Sequence, residues 1–198
     1  MIVATGRHAI VLAAGAGQRF GGAKLTADWR GEPLVLAAVR TALAATVETV
    51  TVVTGADTKV VEVVAGLGEP RVRQISAEDW GEGLAASLRA GISALPASTR
   101  ALVVFLGDMP RVPAFLADAL LNAVIDGAPA AIVTSPHGPA HPAAFNAAVF
   151  PDLLRLRGDR GARSVLNALG DQVAAIDCND PGVVFDVDRP TDLESGAT

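Results

Sequence analysis

A glycine-rich loop near the start of the sequence carries two basic side chains at positions where phosphate could bind. Residues 13–24 contain four glycines and include Arg19 and Lys24. Glycine lets the backbone approach a ligand closely and turn its N–H groups inward as a nest for an anion. The planar guanidinium of Arg19 can bind two phosphate oxygens at once, and the ammonium of Lys24 can follow charge that develops on a transferring phosphoryl group. The loop therefore predicts a phosphate site.

Two widespread phosphate-binding loops match this spacing poorly. A dinucleotide-binding G-x-G-x-x-G would need its third glycine one residue before Gly21, together with an acidic residue about 20 residues further on, which is missing here. A P-loop needs Gly-Lys-Ser/Thr, whereas Ala23 separates Gly22 from Lys24, and Leu25 stands where the metal-binding hydroxyl belongs. A flexible connection without a ligand would leave the two basic side chains without a role.

An acidic turn supplies a second chemical group. Asp108 lies in Leu-Gly-Asp-Met-Pro (106–110), directly after an apolar segment. Side chains at the carboxyl ends of parallel strands project into the crevice where open α/β sheets bind ligands. Mg²⁺ keeps several waters and takes only one or two protein carboxylates beside substrate phosphates, so Asp108 is a candidate metal ligand. The alternative is a helix N-cap, for which Asp108 lies too far upstream.

The elements that would position these residues alternate along the chain. Short Val/Ile/Leu-rich segments are each followed by a longer Ala/Leu-rich segment with helical spacing, which is typical of a parallel sheet with helices on both faces. We predict strands at 9–13, 49–54, 72–76, 101–106 and 130–134 and helices at 34–45, 58–65, 83–94 and 113–124.

The rhythm ends after residue 134, where proline and glycine cluster in 136–142 and a last apolar segment covers 183–187. We therefore predict an α/β fold with a mostly parallel, Rossmann-like sheet. The last third is expected to be an elaboration of the same domain that closes over this sheet. A chain of 198 residues is long enough for one core and short for two, so one domain is expected over 1–198.

Composition excludes several classes of function. The formal net charge of −5 argues against a nucleic-acid surface, which needs concentrated Lys and Arg. No apolar run reaches the roughly 18 residues of a membrane span, and the N-terminus lacks a signal-peptide pattern, so no membrane partner and a cytoplasmic location are expected. The single cysteine, Cys178, cannot form an internal disulfide and is expected to be a core or strand-end thiol.

The loop pattern G-x-G-x-R-x-G-x-x-K, after a strand ending in Leu-Ala-Ala-Gly, resembles the signature loop of the MobA-like nucleotidyltransferases, which wraps a nucleoside triphosphate. Gly-Asp-Met-Pro is similar to the metal-site motif of the same family. Residues 80–88, Trp-Gly-Glu-Gly-Leu-Ala-Ala-Ser-Leu, resemble the W-x-x-G-[ML]-x-x-S-L segment of its molybdenum cofactor cytidylyltransferase branch, which lies near nucleotide and acceptor. The resemblance implies a nucleotide-diphospho-sugar transferase-like fold and these nucleotide-binding residues: Leu12, Ala13, Ala14, Gly15, Gly17, Arg19, Lys24, Gly83 and Ser87.

Three further segments extend the resemblance. Residues 139–145 resemble the branch's G-H-P-x-x-F, with Ala140 in place of the glycine, and residues 158–163 resemble G-D-x-G-[AR]-R. These matches imply acceptor contacts by His141, Arg160 and Arg163, although His141 could instead pack between prolines. Asp159 is a candidate N-cap for the helix that follows. Residues 186–193 resemble D-[IV]-[ND]-x-P-x-D-L, which implies Asp188 as a second metal ligand, Asp186 as a structural residue and a short helix from Pro190.

The resemblance implies a Mg²⁺-dependent enzyme in which Arg19, Lys24 and Asp108 are catalytic. It would transfer CMP from CTP to a molybdopterin-type acceptor and release pyrophosphate, with residues 1–110 binding the nucleotide and 111–198 facing the acceptor. CTP is favoured over GTP because guanylyl enzymes tend to carry Leu-Ala-Gly-Gly. A molybdoenzyme or its chaperone would receive the product. Three alternatives stay open: a cytidylyltransferase for methylerythritol phosphate, an NAD(P)H-dependent oxidoreductase resembling nicotine blue oxidoreductase, and a non-catalytic nucleotide-binding module.

Overall fold

A computed structural model describes residues 5–159 and 161–195 of the chain. Its centre is a seven-stranded sheet in the order β5-β4-β1-β6-β8-β7-β9, in which only β8 runs against its neighbours. A two-stranded ribbon, β2 with β3, lies apart from it. The strands are β1 (Arg7–Ala13), β2 (Asp28–Trp29), β3 (Glu32–Pro33), β4 (Thr49–Thr54), β5 (Val72–Ser76), β6 (Ala101–Leu106), β7 (Ala130–Ser135), β8 (Gly138–Asn146) and β9 (Val173–Asp177).

Helices cover both faces of the sheet, as the continuously apolar strands predict. The helices are α1 (Leu34–Ala44), α2 (Lys59–Ala65), α3 (Leu84–Ser93), α4 (Phe115–Ile125), α5 (Phe150–Leu154), α6 (Arg163–Leu169) and α7 (Pro190–Ser195). Alternate residues of β1 belong to different cores: Val11 lies in the core that includes residues of α1, α2 and α4, while Ile10 lies in the core that includes residues of α3, α5 and α6. Within the described ranges, no helix combines the length and apolar character needed to cross a membrane.

The predicted α/β fold class is confirmed, and the predicted strands 49–54, 72–76 and 101–106 match β4, β5 and β6. The four predicted helices are present with ends shifted by one or two residues. Cys178 is buried directly after β9, as expected of a strand-end thiol.

The last third of the chain fits its expected role only in part. Its helices α5 and α6 cover one face of the sheet, but it also contributes strands: β8 inserts between β6 and β7, and β9 adds the edge beyond β7. Pro139 and Pro142 conceal β8 in the sequence, because proline is rare inside strands. The register of β7 and β8 shifts between Ile132 and Val133, which pair with Ala143 and Ala140, so the intervening His141 and Pro142 lie in a bulge. A bulge tolerates proline because the ladder is already interrupted there.

The tail after β9 returns to the start of the sheet. Phe185 lies against Trp29 of the ribbon with ring centroids 5.8 Å apart, and Val187 is fully buried beside Leu34. The N–H of Val187 donates to the carbonyl of Asp108 at 3.0 Å. This bond fixes the next residue, Asp188, beside the carboxyl end of β6.

Candidate active site

The glycine-rich loop leaves β1 and folds back on itself before α1. The N–H groups of Phe20 and Gly22 both donate to the carbonyl of Gly17, at 3.0 and 3.2 Å. Two turns of 3-10 helix, Gln18–Phe20 and Lys24–Thr26, contain the two basic residues. The loop therefore presents Arg19 at its tip, with a side chain 82% exposed, and Lys24 at its base, with a side chain 12% exposed.

Four charged side chains meet at the carboxyl edge of the sheet. The Nζ of Lys24 lies 2.7 Å from Oδ2 of Asp108 and 3.6 Å from Oδ1 of Asp188. The Nη1 of Arg19 lies 3.0 Å from Oδ2 of Asp188. The structure thus brings together the two basic residues and the two carboxylates that the sequence predicts, from the loop, the end of β6 and the tail.

Two further carboxyl groups, Asp186 and Asp192, lie close to this cluster in the tail. Burial raises the pKa of Asp186, and the charges of Asp188 and Asp108 raise it further. Asp192, at the start of α7, accepts the N–H groups of Asp188 at 2.9 Å and Arg189 at 2.7 Å. These two bonds lower the pKa of Asp192 and hold the tail that carries Asp188. The helix predicted from Pro190 is confirmed.

The donor set suits a hard divalent cation. One ammonium group, Lys24, lies within 4 Å of both Asp108 and Asp188, so a cation already occupies the space between these carboxylates. In the parts of the chain that the structure describes, no three His, Cys, Asp or Glu side chains converge as a complete metal cage. A pair of carboxylates without a cage is what Mg²⁺ uses when phosphate oxygens and water complete its shell.

The charged cluster forms one end of a cleft of about 610 Å³. Most predicted nucleotide-binding residues line it, together with unpredicted ones such as Trp80, Phe20, Leu84 and Asp159. Ser87 lies in its wall and is 5% exposed. Ala13 does not line the cleft, because its side chain points to the opposite face of β1 and packs under α1. The predicted residues that line it are Leu12, Ala14, Gly15, Gly17, Arg19, Lys24, Gly83, Ser87, Asp108 and Asp188.

A second cavity, of about 920 Å³, adjoins the cleft and shares Leu84 and Asp159 with it. His141 from β8 and Arg163, the first residue of α6, both line it. Arg160 lies outside the described residues. Asp159 is not the N-cap of α6, because Ala162 holds that position and no side chain caps the helix. Asp159 lies instead in the wall between the two cavities.

The charge of Asp108 acts on His141, which lines the second cavity. Its Nδ1 is buried and has no hydrogen-bond partner among the described residues. Burial lowers the pKa of His141, and the charge of Asp108 opposes that shift only in part. His141 is therefore a neutral ring at pH 7, with one nitrogen free to accept or donate to a ligand.

The sequence profile of the MobA-like NTP transferase domain matches residues 9–173. No significant match was found among curated proteins. The fold is similar to that of an Rv0371c homologue from Mycobacterium sp. strain JC1, at 26% identity and a TM-score of 0.85 over 98% of this chain and 96% of that one. It is also similar to a nucleotidyl transferase from Methanothermobacter thermautotrophicus, at 24% identity and a TM-score of 0.78 over 96% and 94%.

Two structures of Mycobacterium tuberculosis Rv0371c are also similar to this chain in fold. One has 24% identity and a TM-score of 0.81 over 98% of both chains. The other, a complex with manganese, has 23% identity and a TM-score of 0.78 over 96% of this chain and 97% of that one. Because the family profile covers most of its length, this chain belongs to the MobA-like NTP transferase family and is a nucleotidyltransferase.

Proposed function

We propose that the protein transfers CMP from CTP to the terminal phosphate of a molybdopterin-type acceptor and releases pyrophosphate. The observation that carries this proposal is the junction of two cavities. A cleft with Lys24, Arg19, Asp108 and Asp188 at one end opens beside a larger cavity lined by His141. One binds a triphosphate and the other an acceptor, so that the two reacting groups meet at their shared wall.

An oxygen of the acceptor phosphate attacks the α-phosphorus of CTP, and the bond from that phosphorus to the β-phosphate oxygen breaks. The attacking phosphate is already ionised at neutral pH, so the chain needs no general base. Lys24 and Arg19 hold the triphosphate and offset charge on the transferring group. Nucleotide contacts come from residues 1–110, and acceptor contacts come from His141, Arg160 and Arg163 in 111–198, both as parts of one domain.

Asp108 and Asp188 would hold the Mg²⁺ that this chemistry requires. When bound, the ion would neutralise phosphate charge and polarise the reacting phosphorus. The structure of the manganese complex of Rv0371c supports a divalent ion in a protein of this fold. In the present chain, both carboxylates approach Lys24, so triphosphate binding would draw the ammonium toward phosphate and leave the carboxylates to the ion.

Ala14 supports CTP as the nucleotide. Ala14 lines the cleft at the position where the guanylyl pattern Leu-Ala-Gly-Gly would have glycine. The resemblance of this segment to the cytidylyl branch favours CTP over GTP. A molybdoenzyme or its chaperone is the proposed recipient of the product.

The test is pyrophosphate release from CTP or GTP, with and without molybdopterin cofactor. We expect release that depends on both the acceptor and Mg²⁺, is faster with CTP, and is lost in Lys24→Ala. Lys59→Ala is the matched control, because Lys59 begins α2 and does not line the cleft. Undiminished turnover in Lys24→Ala would contradict the proposal. Tight NADPH binding without Mg²⁺ would favour the oxidoreductase alternative instead.

A further inference from the structure

Trp80 lines the cleft on the side of β4, away from the charged cluster at the ends of β1 and β6. It begins the 3-10 turn Trp80–Glu82 after β5 and lines the cleft with 38% of its surface exposed. The other tryptophan, Trp29, is 4% exposed in the small core beneath the tail. A single exposed aromatic residue is common on protein surfaces and does not indicate a binding site. An aromatic residue that lines a ligand cleft, however, can offer a flat apolar face to a ligand.

The backbone around Trp80 is fixed. The N–H of Trp80 donates to the carbonyl of Ala77 at 3.1 Å, and its carbonyl accepts from the N–H of Gly83 at 3.1 Å. Ala77 in turn donates to the carbonyl of Thr54 at 2.8 Å, which ties the turn to the end of β4. The position of the Trp80 backbone is therefore set by the sheet and the start of α3.

A glycine allows Trp80 to reach the nucleotide loop. A Cβ added to Gly55 would lie 2.8 Å from Cβ of Ala14 and 3.0 Å from Cβ of Trp80, closer than such atoms normally approach. The N–H of Ala56 donates to the carbonyl of Ala14 at 3.1 Å. Gly55 thus lets the residues after β1, β4 and β5 pack into one continuous wall, with Trp80 over the end of β4.

The distance between the two ends of the cleft suits a nucleotide. The charged cluster sits at the ends of β1 and β6, and Trp80 covers the end of β4. Because β1 lies between β6 and β4, and neighbouring strands are about 4.8 Å apart, the two ends are roughly 10 Å apart. With the phosphates at Lys24, the ribose and base extend toward the indole.

We propose that Trp80 stacks against the base of the bound nucleoside triphosphate, an inference that rests on the proposed function. The partner is the nucleotide base and not the acceptor, because Trp80 lines the first cleft and does not line the second cavity. Every base has a flat face, so Trp80 supplies affinity and not choice among bases. The choice between CTP and GTP stays with Ala14.

The test uses tryptophan fluorescence, since the chain has two tryptophans and no tyrosine. Trp29→Phe leaves Trp80 as the only tryptophan, and this variant is titrated with CTP, GTP and inorganic tripolyphosphate in Mg²⁺ buffer. We expect both nucleotides to quench the emission and tripolyphosphate to leave it nearly unchanged. In Trp80→Ala, measured by calorimetry, the Kd of CTP and of GTP should each rise at least about fivefold. Trp80→Phe should keep most of the affinity.

Binding of tripolyphosphate separates stacking from a structural role. If Trp80→Ala binds tripolyphosphate as the wild type does and loses nucleotide affinity, stacking is supported. If it loses both equally, Trp80 only shapes the cleft and the inference is wrong, as it is if CTP affinity is unchanged. If the wild type binds CTP with dependence on Lys24, a negative result for Trp80 leaves the proposed function intact. If the wild type binds no nucleotide, both fail.

Discussion

The two cavities on either side of Leu84 and Asp159 are built in different ways. The first takes its charged groups from the ends of β1 and β6 and from the tail, and ion pairs connect them. The second is lined by apolar side chains together with Asp159, Arg163 and His141, and the Nδ1 of His141 has no hydrogen-bond partner within the described residues. Ion pairs therefore preorganise the charged cleft, while the Nδ1 of His141 in the second cavity is available to form a hydrogen bond with a ligand.

This difference indicates where each part of the reaction can be altered. A preorganised ionic site loses transition-state stabilisation when one member is removed, because the others were positioned around it. Removal of one polar side chain from the larger cavity should instead lower the affinity for the acceptor. The effect is smaller because the ligand keeps most of its other contacts. Variants on the two sides should therefore separate turnover from acceptor binding.

The largest effect is expected for Asp108→Asn. The amide keeps the shape of the side chain but removes the charge that would hold the metal, so turnover should fall roughly a hundredfold or more. CTP should still bind without Mg²⁺, because Lys24 no longer has Asp108 as a charged partner. Steady-state pyrophosphate release and metal-free calorimetry are the measurements, with the exposed Asp171→Asn as control. A rate within threefold of the wild type would contradict the assignment of Asp108.

A smaller effect on both cavities is expected for Gly83→Ala. The added Cβ would lie 2.3 Å from Oδ1 of Asp159 and 2.8 Å from the carbonyl carbon of Gly158, and Gly83 has φ of 105°. The clash should cost roughly 1 to 3 kcal/mol and lower the Tm by about 3 to 10 °C. Because Asp159 belongs to both walls, the KM values for CTP and acceptor should rise together.

The matched control for this change is Gly127→Ala. Gly127 has a similar φ of 121°, but no atom lies within 4 Å of the added Cβ. Backbone strain is therefore shared by the two variants, and the difference between them reports the contact with Asp159. Equal losses of Tm and unchanged KM values in both variants would show that the wall is not shared in function.

For Arg163→Ala we expect an effect on one substrate alone. Arg163 is exposed at the start of α6 and lines only the second cavity. Loss of a charge-assisted hydrogen bond to the acceptor phosphate should raise the KM for acceptor roughly fivefold to tenfold and leave the KM for CTP unchanged. Arg155→Ala, at an exposed position outside both cavities, should change neither. A rise in the KM for CTP would show that Arg163 contributes to nucleotide binding and would contradict its assignment to the acceptor.

The smallest effect concerns pH. Burial lowers the pKa of His8 and of His141 from the ordinary 6.5, against opposing charges on Glu48 and Asp108. Below pH 6.5 the unfolded chain therefore binds protons that the folded chain does not, so stability falls as pH falls through that window and returns as pH rises. The Tm should decrease from pH 7.5 to 5.5.

Two substitutions separate the contributions of His141 and His8 to this loss of stability at low pH. His141→Gln should remove the part that belongs to the second cavity, and His8→Gln the part that belongs to the opposite end of β1. His137→Gln, on an exposed turn, is the control. Thermal unfolding at several pH values in that range measures the slopes, and a slope that stays unchanged in both variants would contradict the assignment.

Sequence reasoning succeeded where one local pattern decides the outcome. The apolar runs of β4, β5 and β6 predicted their bounds because strands covered on both faces are continuously hydrophobic. Lys24 and Asp108 could be expected near one another, since both follow strands that end at the same edge of a parallel sheet. The ion pair between them agrees with that expectation.

The remaining features depend on contacts between distant segments. Pro139 and Pro142 conceal β8, because a bulge that tolerates them is visible only once β7 is beside it. Asp159 resembled a helix cap by its position in the chain, whereas its contact with the residue before α3 is a tertiary one. Trp80 belongs to the segment 80–88 that resembles the family, but the sequence assigned it no role of its own. Its position on the cleft depends on close packing against Gly55, which only the structure shows.

The bond between Val187 and Asp108 joins segments that the ribosome makes at different times. Arg19 and its partner Asp188 are 169 residues apart, so the ribosome makes the glycine-rich loop well before the carboxylate that faces it. A domain generally folds as a unit, so a site built from distant segments is completed only after its last segment has been made. A nascent chain that already contains β1 and β6 can pair Lys24 with Asp108, but it lacks the second carboxylate. The nucleotide site is therefore completed only when the tail packs beside β6. Nucleotide binding by the complete site must follow formation of the central sheet.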